Sequence, residues 1–437
     1  MKYLFKVILL FLIVFKIPVP PIYDSCVIAV IMAALYYLFV KGVFPYAYFT
    51  SRYCLTILIS TLFMAIIDLI NLTLHGNLGE GLFNRFMVQG WMILCVVFIL
   101  PILIEKGSTA YNEAMSIICG AFALQGLIHT LGVFVTPVGN IILSITHNQD
   151  MAGVGFLEFR YYSLTGSPFF ELPAAYGVAC IMFFRLQLIP DQNYLRGWKA
   201  FVIMFWILMG ITLSGRTGFV GFSLGLLLYI VYKWYQFSQI LKNIIKISFG
   251  FLCLLIIFNV ALKPQQRNLF INNIFPFAFE LYYSLRDTGK FRTDSTDALE
   301  QVHYYPLDSN TIMWGDGGFP WDFPSKYRHT DAGYMAHIIL GGIFYLLALI
   351  LYQFIFFWEP MIRAKLENSM NGKINFFCFF LLFAYMFILE YKGSAIGVIH
   401  IMEALFFYIG ISYLVEQYAL EDIKETQEEG LYESTYA

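Results

Sequence analysis

Charge is scarce in this chain. Only 13% of its 437 residues are Asp, Glu, Lys or Arg while 59% are hydrophobic, and a mean hydropathy of +0.69 lies far outside the range of soluble domains. A net charge of −2 excludes a nucleic-acid partner recruited by a basic surface. There is also no Gly-rich phosphate loop, no zinc-ligand spacing and no nucleophile elbow, so no cofactor is called for and no metal site is expected. Cysteine is sparse. Cys26, Cys54, Cys95, Cys119, Cys180, Cys253 and Cys378 all fall inside apolar segments, as packed small hydrophobes rather than a disulfide framework. No internal repeat or linker divides the chain, which removes the inverted-repeat argument for a secondary carrier.

What fills the sequence instead is a series of apolar segments, most long enough to cross a hydrocarbon core at ~1.5 Å rise per residue. Twelve are read: 3–17, 25–43, 53–74, 86–104, 114–135, 172–189, 199–214, 217–235, 244–262, 333–357, 374–391 and 394–415. The expected fold is therefore an all-α polytopic membrane protein. The opening "MKYLFKVILLFLIVFKIPVPP" has the basic start and apolar run of a secretory signal, but no small-residue cleavage site precedes the next span, and it reads as an uncleaved anchor. Organisation follows directly: spans one to nine with an outer loop at 136–171 (1–262), a large outer loop (263–332), spans ten to twelve (333–415) and an acidic, solvated, partly disordered tail (416–437).

Orientation comes from the basic residues. With the N-terminus inside, fifteen Lys and Arg fall on the cytoplasmic side and twelve outside, and seven of those twelve sit in the 263–332 loop, which is long enough to be exempt from the rule. Both termini are then cytoplasmic. Both long loops face outward, where long loops are disproportionately functional.

Most polar residues within spans lie towards that outer side: Asp68, Asn71, His129, Glu390, His400 and Glu403, with Arg185 the cytoplasmic exception. A one-sided cluster suits a cavity open to the outside better than a proton path through the full depth. The plain alternative is interhelical hydrogen bonding, with His400 and Glu403 pairing at i and i+3.

Three outer arginines sharpen the reading. In "LSGRTGFVG", Arg216 is pinned between two apolar helices and flanked by Gly215 and Gly218, a place suited to an anion and equally to an interfacial anchor. Arg160, in "FLEFRYYSLTGSP", is read either as a ligand for the same anion or as a surface charge of the first long loop. Arg328 opens "RHTDAGYMAHIILGG", where the long loop re-enters the membrane beside His329 and Asp331. His329 titrates near ~6.5 when unperturbed and suits a general base, whereas Asp331 also suits the cap of the tenth span. Upstream, "MWGDGGFPWDFP" is turn-rich, and its Trp314 and Trp321 suit either sugar stacking or interfacial anchoring.

The combination "LSGRTGFVGF", a long outer loop, "WGDGG" and "RHTDAGYMAHIILGGIFY" resembles bacterial O-antigen polymerases of the Wzy type, and also the related O-antigen ligases. Both are membrane glycosyltransferases of the GT-C class. The likeness covers the twelve-span layout and two short motifs. It implies oligosaccharide repeat units on undecaprenyl diphosphate, joined on the periplasmic face of the inner membrane without metal or nucleotide, alongside a flippase and a chain-length regulator. Arg216 falls on the arginine of the family's Ser-x-Arg-Thr signature, expected to meet the lipid diphosphate. Ligases usually carry His-Asn at the re-entry; His329-Thr330-Asp331 is closer to the Asp-x-Gly-Tyr form of polymerases. Arg216 with Arg328 or Arg160 would clamp the diphosphate, and His329 or Asp331 would serve as base, with Glu158, Glu171 and Glu403 as reserves. A polysaccharide flippase or other carrier, and a non-catalytic scaffold, are the rival classes.

Overall fold

The computed structural model describes the chain apart from residues 1, 20–23, 42–45, 77–80, 105–106, 108, 148–157, 167–168, 190–194, 237, 239–261, 290–296, 298, 329 and 437. Eleven principal helices lie over eleven of the twelve expected spans: α1 (Lys2–Val14), α2 (Ser25–Tyr36), α3 (Arg52–Leu74), α4 (Phe83–Leu103), α5 (Ala110–Phe134), α6 (Glu171–Leu188), α7 (Trp198–Ser214), α8 (Thr217–Lys233), α9 (Gly333–Leu366), α10 (Met370–Lys392) and α11 (His400–Tyr436). The remaining span, 244–262, falls almost entirely outside the described residues, as does His329. No strand occurs among the described residues. Five helices, α3, α4, α5, α9 and α10, are long and apolar enough to cross a membrane.

Exposed hydrophobic side chains explain why this is not a soluble bundle. On α3, Leu55, Ile59, Leu62, Ile66, Leu69 and Ile70 recur at helical spacing and stay exposed, a stripe that water would penalise and hydrocarbon tolerates. In contrast, α5 and α6 are buried on nearly every face. So is the first half of α11, and these three form the centre.

Glycine sets the tightest packing. A Cβ on Gly221 of α8 would overlap the backbone of Gly177 on α6, and one on Gly225 would come within 3.0 Å of Cys180 O, so the two helices meet backbone to backbone. That approach fixes the start of α8, and hence Arg216, against the start of α6.

The long α9 is broken. Gly341 and Gly342 leave helical geometry, with Gly342 at φ 72°, and the carbonyls freed on the preceding turn find partners outside the helix. Asp316 N–H donates to Ile339 O at 2.7 Å, Gly317 N–H to Leu340 O at 3.0 Å, and Asn71 Nδ2 also to Leu340 O at 2.8 Å. The "MWGDGG" turn is thus docked into a helix break, which satisfies backbone groups that an apolar layer would leave unpaired. Trp314 lies on Phe344 and Trp321 stacks on Phe319, so both tryptophans pack in this docked segment.

Two expectations are corrected here. The N-cap of α9 is Ala332, with no side-chain cap; the Thr330 hydroxyl accepts from Ala332 N–H at 3.1 Å and Asp331 is exposed, because the shorter Thr side chain already closes the turn. The acidic tail is helical as far as Tyr436 rather than partly disordered. Its Glu, Gln, Lys, Ala and Leu are strong helix formers, and its base is tied to α9 by Arg363 to Glu421 at 2.7 Å.

Candidate functional site

At the bundle end bearing Arg216, three cations converge. Arg160 sits on the short turn Glu158–Tyr162, which His129 of α5 holds by a 2.9 Å contact from Nε2 to Phe159 O. Its Nε donates to Ser214 O at 2.8 Å, at the end of α7, so it meets Arg216 two residues further on. The two guanidinium groups lie over the same ring, Phe277, at 5.8 Å and 5.0 Å, and Arg160 also lies over Phe169 at 5.2 Å. Lys392, the last residue of α10, feels both positive charges. Burial draws the Arg160 guanidinium down to about 10, and the Arg216 charge adds to the effect, which still leaves it charged at neutral pH.

Among the described residues one acid is ion-paired with this cluster. Glu280, at the start of the loop helix Glu280–Thr288, forms an ion pair with Arg216. The cluster therefore keeps net positive charge in a half-buried setting, an arrangement that suits a multiply charged anion.

A groove of about 530 Å³ opens directly from Arg216 and Lys392. Thr217, Tyr282 and Tyr391 line it near the cations, while Phe219, Val220 and Ile388 continue it down the faces of α8 and α10. It has a cationic head and an apolar path.

On the other side of Arg160 lies a second cavity, of about 700 Å³, between the end of α1, the start of α2, the 161–171 segment and the turn joining α10 to α11. Lys16, Asp24, Tyr161, Glu171 and His400 line it. Phe169 borders this cavity and carries Arg160 on its face, and the Phe170 ring lies against Gly393, next to Lys392. Groove and cavity thus adjoin across the Phe169–Phe170 pair.

The remaining candidates are placed elsewhere. Arg328 and Asp331 sit on the segment leading into α9, where Tyr305 Oη donates to Arg328 O at 3.0 Å and Asp331 N–H donates to His303 Nδ1 at 3.1 Å. They connect to the groove through Leu299, which lines it and packs on Ala332 and Met335, and through Tyr304, whose ring stacks on the groove's Tyr391. Glu158 opens the short turn that carries Arg160. Glu403 is not paired with His400; its Oε1 accepts from Gly397 N–H at 3.2 Å. Glu390 accepts from Ala395 and Ile396 N–H, each at 2.9 Å, and faces His337 at 3.1 Å with both side chains fully buried. Asp68 accepts from Phe83 N–H and Tyr345 Oη, each at 2.7 Å. These acids hold chain reversals in shape.

Sequence reasoning passed over Lys16, Asp24, Glu280, His337 and Lys392. A signal for two of them was present: outside the long loop, only Lys16, Arg85, Arg160, Arg216 and Lys392 violate the charge bias, and four of those five line the groove or cavity or sit between them. Among the described residues no three His, Cys, Asp or Glu converge as a metal site. No family model, curated protein or solved structure matches this chain.

Proposed function

We propose that this protein is a membrane glycosyltransferase of the O-antigen polymerase type, which joins undecaprenyl-diphosphate-linked oligosaccharide repeat units at the periplasmic face of the bacterial inner membrane. The single observation that carries the reading is the cationic head of the groove, where Arg216, Arg160 and Lys392 converge at the start of an apolar path between α8 and α10. A diphosphate esterified to a polyprenyl chain has the same two-part chemistry. Its anionic head needs fixed cations and its tail needs an apolar route to the bilayer.

In the proposed reaction the growing chain is the donor, and its anomeric carbon breaks from the diphosphate oxygen. Negative charge grows on that leaving oxygen. Guanidinium groups held beforehand by Ser214 O and Glu280 would stabilise it without reorganising at the moment of reaction. The convergence of Arg160, Arg216 and Lys392 at one end of the bundle, rather than at mid-depth, favours the polymerase over a carrier. Repeat units delivered by a flippase and lengths set by a separate regulator belong to the same proposal.

The test is a reconstituted assay with lipid-linked repeat units from the source strain, following product length on a gel. Wild type should yield a ladder. Arg216→Ala should lower the rate by ~10²-fold or more, as loss of a charge-stabilising donor does elsewhere, and Arg216→Lys should rescue little because a lysine cannot reproduce a bidentate contact. Full activity in Arg216→Lys would reduce the residue to an anchor. A single addition to a lipid A-type acceptor, with no ladder, would make the protein a ligase.

A further inference from the structure

The groove accounts for one substrate of a reaction that needs two. The second cavity differs from it in charge. Lys16 is set against Asp24 and Glu171, with the His400 imidazole beside them, so the lining has no excess of positive charge, where the groove is positive. Aromatic faces at Tyr161, Phe169 and Phe170 complete it, and the Tyr161 and Phe169 rings meet edge to face at 5.0 Å. A polar lining without excess positive charge, with aromatic walls, suits a neutral, hydroxyl-rich ligand and disfavours an anion.

Two buried atoms point the same way. Asp24 is only 3% exposed; its Oδ1 caps α2 by accepting from Cys26 N–H at 2.9 Å, while Oδ2 has no hydrogen-bond partner among the described residues. Nδ1 of His400 is likewise unpartnered among them. A buried acceptor left open is costly, and both side chains line the cavity, so a ligand hydroxyl would satisfy what the protein does not. The cavity floor is also fixed. Thr165 Oγ1 donates to Phe15 O at 3.0 Å and Gly166 N–H to the same oxygen at 3.2 Å, which holds Lys16 at φ 42° at the rim.

We infer that this cavity binds the acceptor glycan and that Glu171, at the start of α6, takes the proton from its attacking hydroxyl. The inference rests on the glycosyl-transfer reading of the groove. It assigns the base to Glu171 rather than to Asp331, which lies on the segment leading into α9. In the step, the acceptor oxygen bonds to the anomeric carbon as the bond from that carbon to the diphosphate oxygen breaks. The electron pair leaves with the lipid diphosphate between Arg160 and Arg216, and the hydroxyl proton passes to the Glu171 carboxylate. The Phe169–Phe170 pair is where the two substrates meet.

The experiment uses the full chain in proteoliposomes with two readouts: binding of undecaprenyl diphosphate alone, and steady-state kinetics with lipid-linked repeat units as donor and the delipidated oligosaccharide as acceptor. Glu171→Gln should lose ~10²-fold or more in kcat and lose the rise of rate with pH, while binding undecaprenyl diphosphate as wild type does. Asp24→Asn keeps the cap on α2, and should raise the KM for acceptor several-fold with lipid binding unchanged. Retained kcat and pH profile in Glu171→Gln, or an Asp24→Asn defect confined to lipid binding, would overturn the inference while the function stands. If wild type makes no product and does not bind undecaprenyl diphosphate, the glycosyl-transfer reading itself fails.

Discussion

Arg185 is a charge buried to 1% exposure, and its surroundings show what such a residue needs. Nε and Nη2 donate to Asn375 Oδ1 at 2.9 and 2.7 Å, Nη1 donates to Asn112 Oδ1, and the guanidinium lies 4.7 Å over the Tyr111 ring. It ties α6 to α5 and α10 at the end of the bundle opposite Arg216. Arg185→Ala should strand two amide oxygens and lower stability by about 3 kcal/mol, read as a drop in thermal unfolding temperature in detergent. Arg160, by contrast, bonds to one carbonyl and two aromatic faces and so retains donors for a ligand. Arg160→Ala should leave unfolding nearly unchanged and weaken undecaprenyl diphosphate binding, measured by titration. Both arginines sit next to aromatics in the sequence, Arg185 within an expected span and Arg160 in the first long loop. Only the polar residues that other helices bring to them separate a structural role from a proposed binding one.

At the scale of the element, helices were the legible part. Apolar runs flanked by charge located α3, α4, α5 and α10 to within a few residues, and the start of α9 though not its end at Leu366, because a continuous hydrophobic stretch has one way to bury its backbone in an apolar layer. The break inside α9 was not legible. "LGGIFY" reads as a span with two tolerated glycines until the 313–317 turn is seen occupying the gap. Glycine-mediated packing gives a prediction with a change of sign. Ala for Gly inside a helix normally stabilises by roughly 0.5–1 kcal/mol, and Gly90→Ala on α4, whose nearest neighbour would be 3.8 Å away, should follow that rule. Gly221→Ala should destabilise, because the added carbon would meet the Gly177 backbone; chemical denaturation of the two variants side by side decides it.

At the scale of the molecule, the 308–327 segment is docked on the bundle, and its charges make that docking depend on pH. Hydrogen bonds from Thr311 N–H and Oγ1 hold the Asp308 carboxyl below its ordinary range, with Lys326 adding to the effect. Asp316 accepts from Lys326 Nζ at 2.8 Å and raises the Lys326 ammonium above its usual value. A carboxyl with a depressed pKa stabilises the folded loop above about pH 4 and loses that contribution as pH falls further; an ammonium with a raised pKa contributes below about pH 10 and loses it as pH rises through the folded value. Docking should therefore be constant across the neutral range and loosen at both extremes, which the fluorescence of Trp314 and Trp321 would report. The two halves of the motif that suggested the family, "WGDGG" and "AHIILGG", turn out to touch each other, and contribute to the architecture around the groove rather than to its cationic head. What could not be read was which charges would converge, since Arg160, Arg216 and Lys392 are brought together only by the packing of α5, α7, α8 and α10.

The broken α9 also carries a consequence for how the chain is made. Ile339 and Leu340 offer carbonyls that the docked turn satisfies, and that turn precedes them in the sequence by some two dozen residues. During synthesis the partner is therefore made before the helix that needs it. Chain order alone lets α9 close its break against a turn that already exists. A circular permutant that moved the 309–322 segment behind α9 would keep the contacts of the finished protein and lose that order of synthesis.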